Sequence, residues 1–375
     1  MSDTISTDPA TSGSAGAEEA TGLSAEQPEQ VQATPTVPDG DQAAAVAAAP
    51  AKVRTAYFMK AMAEGLGAAM AEDETVVVLG EDVDRSIIGG TRGLIEQYGE
   101  KRVRNTPISE ATFVGACVGA AAVGLRPVVD LMIGSFFYVA MDQVANQAAK
   151  LRYMSGGQVD LPIVYFTMSG PSGSSAAQHS ENPHPMLMNV AGLKIVMPST
   201  PYDAKGLMLS AVRDPNPVIY FQDAVLAGTK GPVPAEAYAI PIGVADVKRR
   251  GTDVTLVAIG ALVGKALKVA AQLEKEGVSV EVIDPRTLVP MDYPTILESV
   301  ARTGRLVVAD NARLTCSAAS EIVATVTQQA FGTLKTAPQR VAWEDMPVPF
   351  SPPLEARVVV DELKIRNAVL KTMGA

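Results

Sequence analysis

The sequence predicts an α/β fold with two doubly wound domains, preceded by a polar tail. Short, continuously apolar runs such as "TVVVLG" (75–80) and "LPIVYFT" (161–167) are typical of strands buried on both faces of a parallel sheet. Between such runs lie helix-length segments whose apolar residues recur every three or four positions. This alternation of strand and helix along the chain builds a parallel sheet covered by helices on both faces.

The N-terminal segment differs in composition from the rest of the chain. The net charge is −10, and eight acidic residues precede the first basic residue, Lys52. The segment is rich in Ala, Pro, Ser, Thr, Glu and Gln and holds few large apolar residues, so we predict that residues 1–52 form a disordered spacer. No basic patch stands out in the remainder, and nucleic-acid binding is therefore not favoured.

The first domain is predicted to span residues 53–228. Its opening helix is marked by Phe58, Met62, Leu66 and Met70, which recur every fourth residue. Further along, the pattern predicts strands at "RPVVDLMI", "LKIVM" and "PVIYF" and helices over residues 110–124, 136–154 and 201–213.

The second domain is predicted to span residues 229–375, after a crossing rich in glycine and proline over 224–250. Its predicted strands are "TLVAIG", "SVEVID", "RLVVAD" and "QRVAW". The helices between and after them are predicted over residues 262–276, 291–302, 317–331 and 361–373.

The chain is predicted to be cytoplasmic. It has no run of about 18 apolar residues, which a membrane helix would need, and its polar start is unlike a secretory signal. The two cysteines, Cys117 and Cys316, are far apart in sequence. This spacing favours reduced thiols, and the simplest interpretation is that both are small buried hydrophobic residues.

Two local features suggest a functional site. Glu110 stands at the predicted start of a helix in which Gly115, Gly119 and Gly124 leave one face almost without side chains. An acid at a helix start is often only a favourable partner of the helix dipole. Each glycine inside a helix, however, costs about 1 kcal/mol relative to alanine, so another helix or a ligand is expected to approach this face closely.

Both histidines of the chain, His179 and His184, lie in one loop, "SSAAQHSENPHP". The glycine and serine residues around them permit a close, mobile loop. An imidazole with an ordinary pKa of about 6.5 can exchange protons at neutral pH.

Several segments resemble one family in their order and spacing over roughly residues 53–373. These segments are "TPISEATFVGACVGAAAVGLRPVVDLM", "DQVANQAAKLRYMSGG", "AAQHS" and "PSTPYDAKGL". Together they resemble the beta subunit of thiamine-diphosphate-dependent 2-oxo acid dehydrogenases, a group that includes pyruvate, branched-chain and acetoin dehydrogenases. "VIDPRTLVPMD" and "WEDMPVPFSPPLE" resemble the transketolase-like C-terminal domain of that family.

The resemblance implies an oxidoreductase that decarboxylates a 2-oxo acid, or cleaves an acetoin-like ketone, and passes the acyl group to a lipoyl domain. It implies thiamine diphosphate as cofactor, with Glu110 facing the aminopyrimidine ring. A carboxyl hydrogen-bonded to the ring nitrogen promotes the tautomer that activates the cofactor. Phe136 matches the aromatic that packs on this ring, although a core aromatic is the alternative interpretation. Met132 falls at a neighbouring cofactor-lining position.

His179 matches the family's active-site histidine, which handles proton transfers of the substrate or the lipoyl group. The sequence departs from the family immediately afterwards, at Glu181, Asn182 and His184. We therefore interpret His184 as a weaker candidate, a substrate contact that tunes preference.

Metal binding is implied in two places. "SAVRDPNPV" resembles a potassium-binding loop, with Ile163, Ala211, Asp214 and Asn216 on ligand positions; a turn that ends a helix explains the same residues equally well. The Gly-Asp-Gly and asparagine motif that holds Mg²⁺ and the diphosphate is missing, apart from a vague echo in "PDGDQ" of the tail. An alpha subunit is expected to supply it, in a heterotetramer that works with a lipoyl transacylase.

Three other functions stay open. One is a divergent thiamine-diphosphate lyase or carboligase subunit without lipoyl transfer. A non-catalytic structural paralogue is disfavoured by the combination of Glu110, Phe136 and His179. A self-contained transketolase-like enzyme is disfavoured by the missing metal motif and by the length of the chain.

Overall fold

The structure is a computed structural model, and it describes residues 52–374. The predicted disorder of the tail concerns residues outside the described part of the chain. The described residues form two large sheets and a small two-stranded ribbon. In chain order, the strands are β1 (Val53–Tyr57), β2 (Val76–Gly80), β3 (Val103–Asn105), β4 (Arg126–Ile133), β5 (Val164–Ser169), β6 (Lys194–Val196), β7 (Val218–Asp223), β8 (Lys230–Pro234), β9 (Asp246–Arg249), β10 (Val254–Ala258), β11 (Val280–Asp284), β12 (Thr287–Val289), β13 (Leu306–Arg313) and β14 (Gln339–Trp343).

Each large sheet is parallel except for one edge strand. The first has the order β12-β6-β7-β5-β4-β2-β3, in which only β12 is antiparallel to its neighbour. The second has the order β14-β13-β10-β11-β9, in which only β9 is antiparallel. β1 and β8 form the antiparallel ribbon. The predicted fold class, two α/β domains with parallel sheets, is confirmed.

The helices lie where the sequence supplies caps and apolar faces. They are α1 (Phe58–Glu72), α2 (Leu94–Tyr98), α3 (Glu110–Ala122), α4 (Ala149–Met154), α5 (His184–Met188), α6 (Pro201–Arg213), α7 (Leu262–Glu274), α8 (Tyr293–Thr303), α9 (Ala318–Ala330), α10 (Pro352–Val358) and α11 (Glu362–Met373). α6 begins as predicted because the Thr200 side chain accepts the backbone N–H of Asp203 at 3.1 Å and Pro201 occupies the first turn.

The core of the first sheet is built from the predicted apolar stripe. Phe58, Met62, Leu66 and Met70 are all buried, and they pack with the apolar side of α6 against one face of the sheet. The opposite face is covered by α3 and the segment that follows β4, including Phe137 and Val144. The sheet is therefore buried on both sides, which explains why its strands are continuously apolar.

One element prediction was wrong in detail, and short strands were missed. Residues 136–154 are not one helix but a 3-10 turn (Gly134–Tyr138), a π-helical segment (Asp142–Ala148) and α4. The crossing over 224–250 contains β8 and β9. β12 was missed because a strand of only three residues carries almost no periodic signal. It belongs to the second half of the chain in sequence but pairs with β6 of the first sheet.

The two cysteines differ in environment. Both are free, but Cys117 is buried in the core whereas Cys316 is exposed. Burial raises the pKa of the Cys117 thiol to about 12. The interpretation as a buried hydrophobic residue is thus correct for Cys117 and wrong for Cys316.

Among residues 52–374, we find no helix with both the length and the apolar character that crossing a bilayer requires.

Candidate active site

The candidate residues gather at one edge of the first sheet. Glu81 directly follows β2, Met132 lies near the end of β4, and the loop that carries His179 follows β5. Glu110 begins α3, a few residues after β3. These strands are successive neighbours in the order β3-β2-β4-β5 and run parallel, so their carboxyl ends share one edge. Open α/β sheets bind ligands in the crevice at this edge.

Glu110 is the first residue of α3 and is 9% exposed. Its neighbour Glu81 has a buried carboxylate oxygen, Oε1, without a hydrogen-bond partner among the described residues. Burial raises the pKa of Glu81, and the negative charge of Glu110 raises it further. The carboxyl of Asp130 is also buried, and burial raises its pKa to about 7 despite a hydrogen bond from the backbone of Met132.

Burial, reinforced by the proximity of other carboxyl groups, thus raises the pKa of both Glu81 and Asp130 at this edge. Sequence reasoning missed Glu81 and Asp130. A usable signal existed for Glu81, because an acid directly after the buried strand "VVVLG" must lie at the ligand-binding edge. Asp130 carried no such signal, since it stands inside a strand.

Met132 has an unusual backbone conformation. Its φ is 49°, in the left-handed region that residues other than glycine rarely adopt. The Asp130 carboxylate accepts the Met132 N–H at 2.8 Å, and the pairing of β4 with β5 shifts between Asp130 and Ile133. The chain is thereby turned at the end of β4, just before Phe136. Strained backbone of this kind is concentrated at functional sites.

Phe136 and His179 come together across the edge. Their ring centroids are 5.8 Å apart and the planes meet at 83°, an edge-to-face arrangement. The Ser135 hydroxyl donates a hydrogen bond to the backbone carbonyl of Gln178, which ties the turn after β4 to the histidine loop. His179 is exposed and Phe136 is partly exposed, so both present surface to a ligand.

The glycine-rich face of α3 is only partly covered by the chain itself. A Cβ at Gly115 would meet the Gln143 side chain at 3.1 Å, so the π-helical segment does approach closely there. At Gly119 and Gly124 a Cβ would meet no atom of the described residues within 4 Å. The expected close approach is therefore found at one of the three glycines.

His184 lies away from this surface. Its ring is 0% exposed, its Nε2 is 2.9 Å from Oδ1 of Asp310 in β13, and its edge faces Phe221 with centroids 6.1 Å apart. This placement does not support the predicted substrate contact, because no part of the ring is accessible. We infer a structural role in the junction between the first sheet and β13.

We expect His184→Ala to destabilise the protein by about 2–4 kcal/mol, because it leaves a cavity and removes a partner of the buried Asp310 carboxylate. The free energy of unfolding from urea titration measures this. His179→Ala is the matched control, since His179 is exposed and its removal should change stability by less than about 0.5 kcal/mol. Equal stability of the two variants would contradict the structural role of His184.

The candidate potassium ligands lie at the end of α6 and the strand beside it. Asn216 donates to Oδ1 of Asp214 from both its backbone and its side-chain nitrogen, each at 2.9 Å, while Lys194 pairs with Oδ2 of Asp214 at 2.5 Å. The carbonyls of Ile163 and Ala211 accept the N–H groups of Val218 and Asp214. The interpretation as a helix-ending turn accounts for these contacts without a cation, and the potassium site stays a prediction.

Comparison with known families places this edge in context. Residues 55–223 match the family model of the transketolase pyrimidine binding domain, and residues 243–365 match that of the transketolase C-terminal domain. The chain is therefore a two-domain, transketolase-like protein.

Relatives narrow the family further. The chain is 45% identical over 325 residues to the beta subunit of acetoin:2,6-dichlorophenolindophenol oxidoreductase from Cupriavidus necator, covering 84% of this chain and 96% of the relative. The corresponding Bacillus subtilis subunit is 43% identical over 335 residues, covering 86% and 98%. The pyruvate dehydrogenase E1 beta subunit of Rhizobium meliloti is 40% identical over 342 residues, covering 90% and 72%. The chain thus belongs to the family of beta subunits of thiamine-diphosphate-dependent 2-oxo acid and acetoin dehydrogenases, which are oxidoreductases.

A solved structure gives the same fold. A split-gene transketolase, described as an inactive beta4 tetramer, superimposes with a TM-score of 0.69 at 22% identity, covering 84% of this chain and 97% of that chain. At this identity the similarity shows the fold alone.

The residues at the strand edge fit the pyrimidine end of thiamine diphosphate. The partnerless, buried Oε1 of Glu81 and the adjoining carboxyl of Glu110 supply oxygens that can hydrogen-bond to ring nitrogens. Phe136 offers a partly exposed aromatic side chain for the flat ring.

Proposed function

We propose that this chain is the cofactor-activating beta subunit of an enzyme that cleaves an acetoin-like ketone or decarboxylates a 2-oxo acid, and transfers the acyl group to a lipoyl domain. The observation that carries the proposal is the convergence of Glu110, Phe136 and His179 on one strand edge. The two relatives at 43–45% identity favour acetoin, while the one at 40% favours pyruvate.

Each residue has a distinct task in this proposal. Thiamine diphosphate, when bound, supplies the nucleophilic carbon that attacks the carbonyl of the substrate. The Glu110 carboxyl would hydrogen-bond to the pyrimidine ring nitrogen and so favour the reactive tautomer. Phe136 packs on the ring, and Met132 lines the wall beside it. His179 moves protons to and from the substrate or the lipoyl sulfur, because an imidazole can do both near neutral pH.

The second half of the cofactor site is assigned to an alpha subunit. Mg²⁺ and the diphosphate require a motif that this sequence lacks, so we assign them to that partner in a cytoplasmic heterotetramer. Exposed apolar side chains flank α3 and α4 and support a subunit interface there: Ile108 is 82% exposed, Val123 82% and Tyr153 89%.

Titration calorimetry tests the division of the site between two subunits. The isolated chain, with Mg²⁺ present, is expected to bind thiamine diphosphate more weakly than micromolar, because it lacks the metal ligands. The complex with the alpha subunit is expected to bind one cofactor per site. Tight stoichiometric binding by the chain alone would overturn the proposed sharing.

The assembled enzyme also distinguishes the candidate reactions. Reduction of 2,6-dichlorophenolindophenol with acetoin, pyruvate or a branched 2-oxo acid identifies the substrate class. Turnover without transfer to lipoamide would favour the lyase or carboligase alternative. Absence of turnover on all of these substrates, with cofactor bound, would favour the structural paralogue.

A further inference from the structure

We propose that Glu181, Asn182 and His184 form a clasp that lets the C-terminal half of the chain position the catalytic histidine, His179. These three residues are the ones at which the loop departs from its family pattern. Each is paired with a residue of β13, namely Arg313, Asn311 and Asp310 respectively. The inference rests on the proposed function, because it concerns the same histidine.

The first contact of the clasp is the strongest. Arg313 Nη1 and Nη2 each lie 2.7 Å from one carboxylate oxygen of Glu181, which is a bidentate, charge-assisted pair. The Glu181 side chain is 12% exposed and that of Arg313 is 34% exposed, so the carboxylate is the better shielded partner. Arg313 also donates through Nε to the carbonyl of Met346 at 3.2 Å, and this contact fixes the guanidinium to the C-terminal half.

The other two contacts are buried. The Asn182 side-chain amide donates to the backbone carbonyl of Asn311, and His184 pairs with Asp310. The Asn311 amide in turn donates to Asp223 at 2.9 Å and accepts from the Trp343 indole at 2.8 Å. The clasp is thus anchored in polar contacts that join β7 of the first large sheet to β13 and β14 of the second.

The backbone of the clasp also lies against the turn after β4, which carries Phe136. The Glu181 carbonyl accepts the Gly170 N–H at 3.2 Å, and a Cβ at Gly134 would meet this carbonyl at 3.0 Å. Gly134 precedes Phe136 in the turn after β4. A shift of Glu181 would therefore move the loop relative to the turn that carries Phe136.

The backbone of the loop is strained just before His179. Ser174 and Ala176 have φ values of 55° and 57°, which residues other than glycine seldom adopt. The Ser174 N–H is accepted by Glu355 of α10 at 3.0 Å, again a residue of the C-terminal half. The loop is thus held on both sides of His179 by residues of β13 and α10, and Glu181 stands only two positions from the imidazole.

The clasp makes Glu181 and Arg313 positioning residues. Neither residue is among the contacts described above for the Phe136 ring or for the acids around Glu110. Misplacing a catalytic group by about 1 Å can reduce turnover about 100-fold. Loss of the Arg313 pair is therefore expected to lower kcat about 10- to 100-fold while KM changes little, because binding groups elsewhere are untouched.

The test compares Arg313→Met with Arg366→Met in the enzyme assembled with its alpha subunit. Arg366 of α11 pairs with Glu276, in the turn just after α7, at 2.7 Å, so its variant controls for the loss of an arginine–glutamate pair. The kcat for dye reduction with acetoin or pyruvate should fall only in Arg313→Met. The charge swap, Glu181→Arg with Arg313→Glu, should recover most of the lost kcat. Normal kcat in Arg313→Met, or a loss that the swap does not relieve, would overturn the proposal.

A second readout does not depend on activity. Hydrogen exchange of peptides covering residues 170–180, measured by mass spectrometry, should become faster in Arg313→Met and stay unchanged in Arg366→Met. Unchanged exchange in both variants would show that the clasp does not hold the loop. If His179→Ala is fully active, the proposed role of His179 fails, and the exchange experiment still decides whether the clasp holds the loop.

Discussion

Replacing Glu110 by glutamine is expected to lower turnover of the assembled enzyme about 100- to 10,000-fold, the usual contribution of a general acid–base group. A glutamine amide can hydrogen-bond to the pyrimidine ring, but it cannot exchange a proton with the ring nitrogen. The expected change is in kcat, with assembly and cofactor binding largely preserved. Steady-state kinetics, together with size-exclusion chromatography of the complex, measure both.

The matched control for this substitution is Glu362→Gln. Glu362 is likewise the first residue of a helix, α11, and pairs at the surface with Lys268. If Glu110 only favoured the helix dipole, both substitutions would cost a few tenths of a kcal/mol of stability and leave turnover intact. Near-normal kcat in Glu110→Gln would therefore remove this residue from the mechanism.

His179→Ala is expected to abolish acyl transfer to lipoamide, or substrate turnover as a whole, since His179 is the imidazole exposed beside Phe136. Stability should not change, because the side chain buries little surface. The two half-reactions separate the possibilities. Dye reduction that persists while lipoamide transfer is lost would assign His179 to the transfer step, and loss of both would assign it to the substrate.

His184→Ala provides the contrast within the same loop. It should lose stability, as argued from its buried pairing with Asp310, and below its unfolding transition it should retain more turnover than His179→Ala. Because His184 is part of the clasp, any loss of kcat in His184→Ala should be accompanied by faster hydrogen exchange of residues 170–180. The opposite order, an inactive His184→Ala and an active His179→Ala, would contradict the assignment of the two histidines.

Glu81 and Asp130, at the same strand edge as Glu110, have raised pKa values. The raised pKa of Glu81 and the pKa of about 7 for Asp130 both arise mainly from burial, and Glu81 feels the charge of Glu110. These groups lie at the strand edge because β2 and β4 are adjacent and parallel. Their protonation therefore follows from packing, and no local pattern in the sequence encodes it.

The sequence by itself determined the alternation of strands and helices, the caps of helices such as α6, and the family resemblance that points to Glu110, Phe136 and His179. These features are local in the sequence, because they depend on the hydrophobic period, on cap residues and on short motifs. It also set the acidic first fifty residues apart from the rest of the chain by composition.

Only the tertiary structure decided which of the two histidines is buried. His179 and His184 are five positions apart in one polar loop, and no local pattern shows which of them is buried. The difference comes from β13, which is more than a hundred residues away and offers Asp310 to one ring while leaving the other beside Phe136. Contacts between distant segments fix burial, and burial decides whether a polar side chain can meet a substrate or must instead be paired inside the protein.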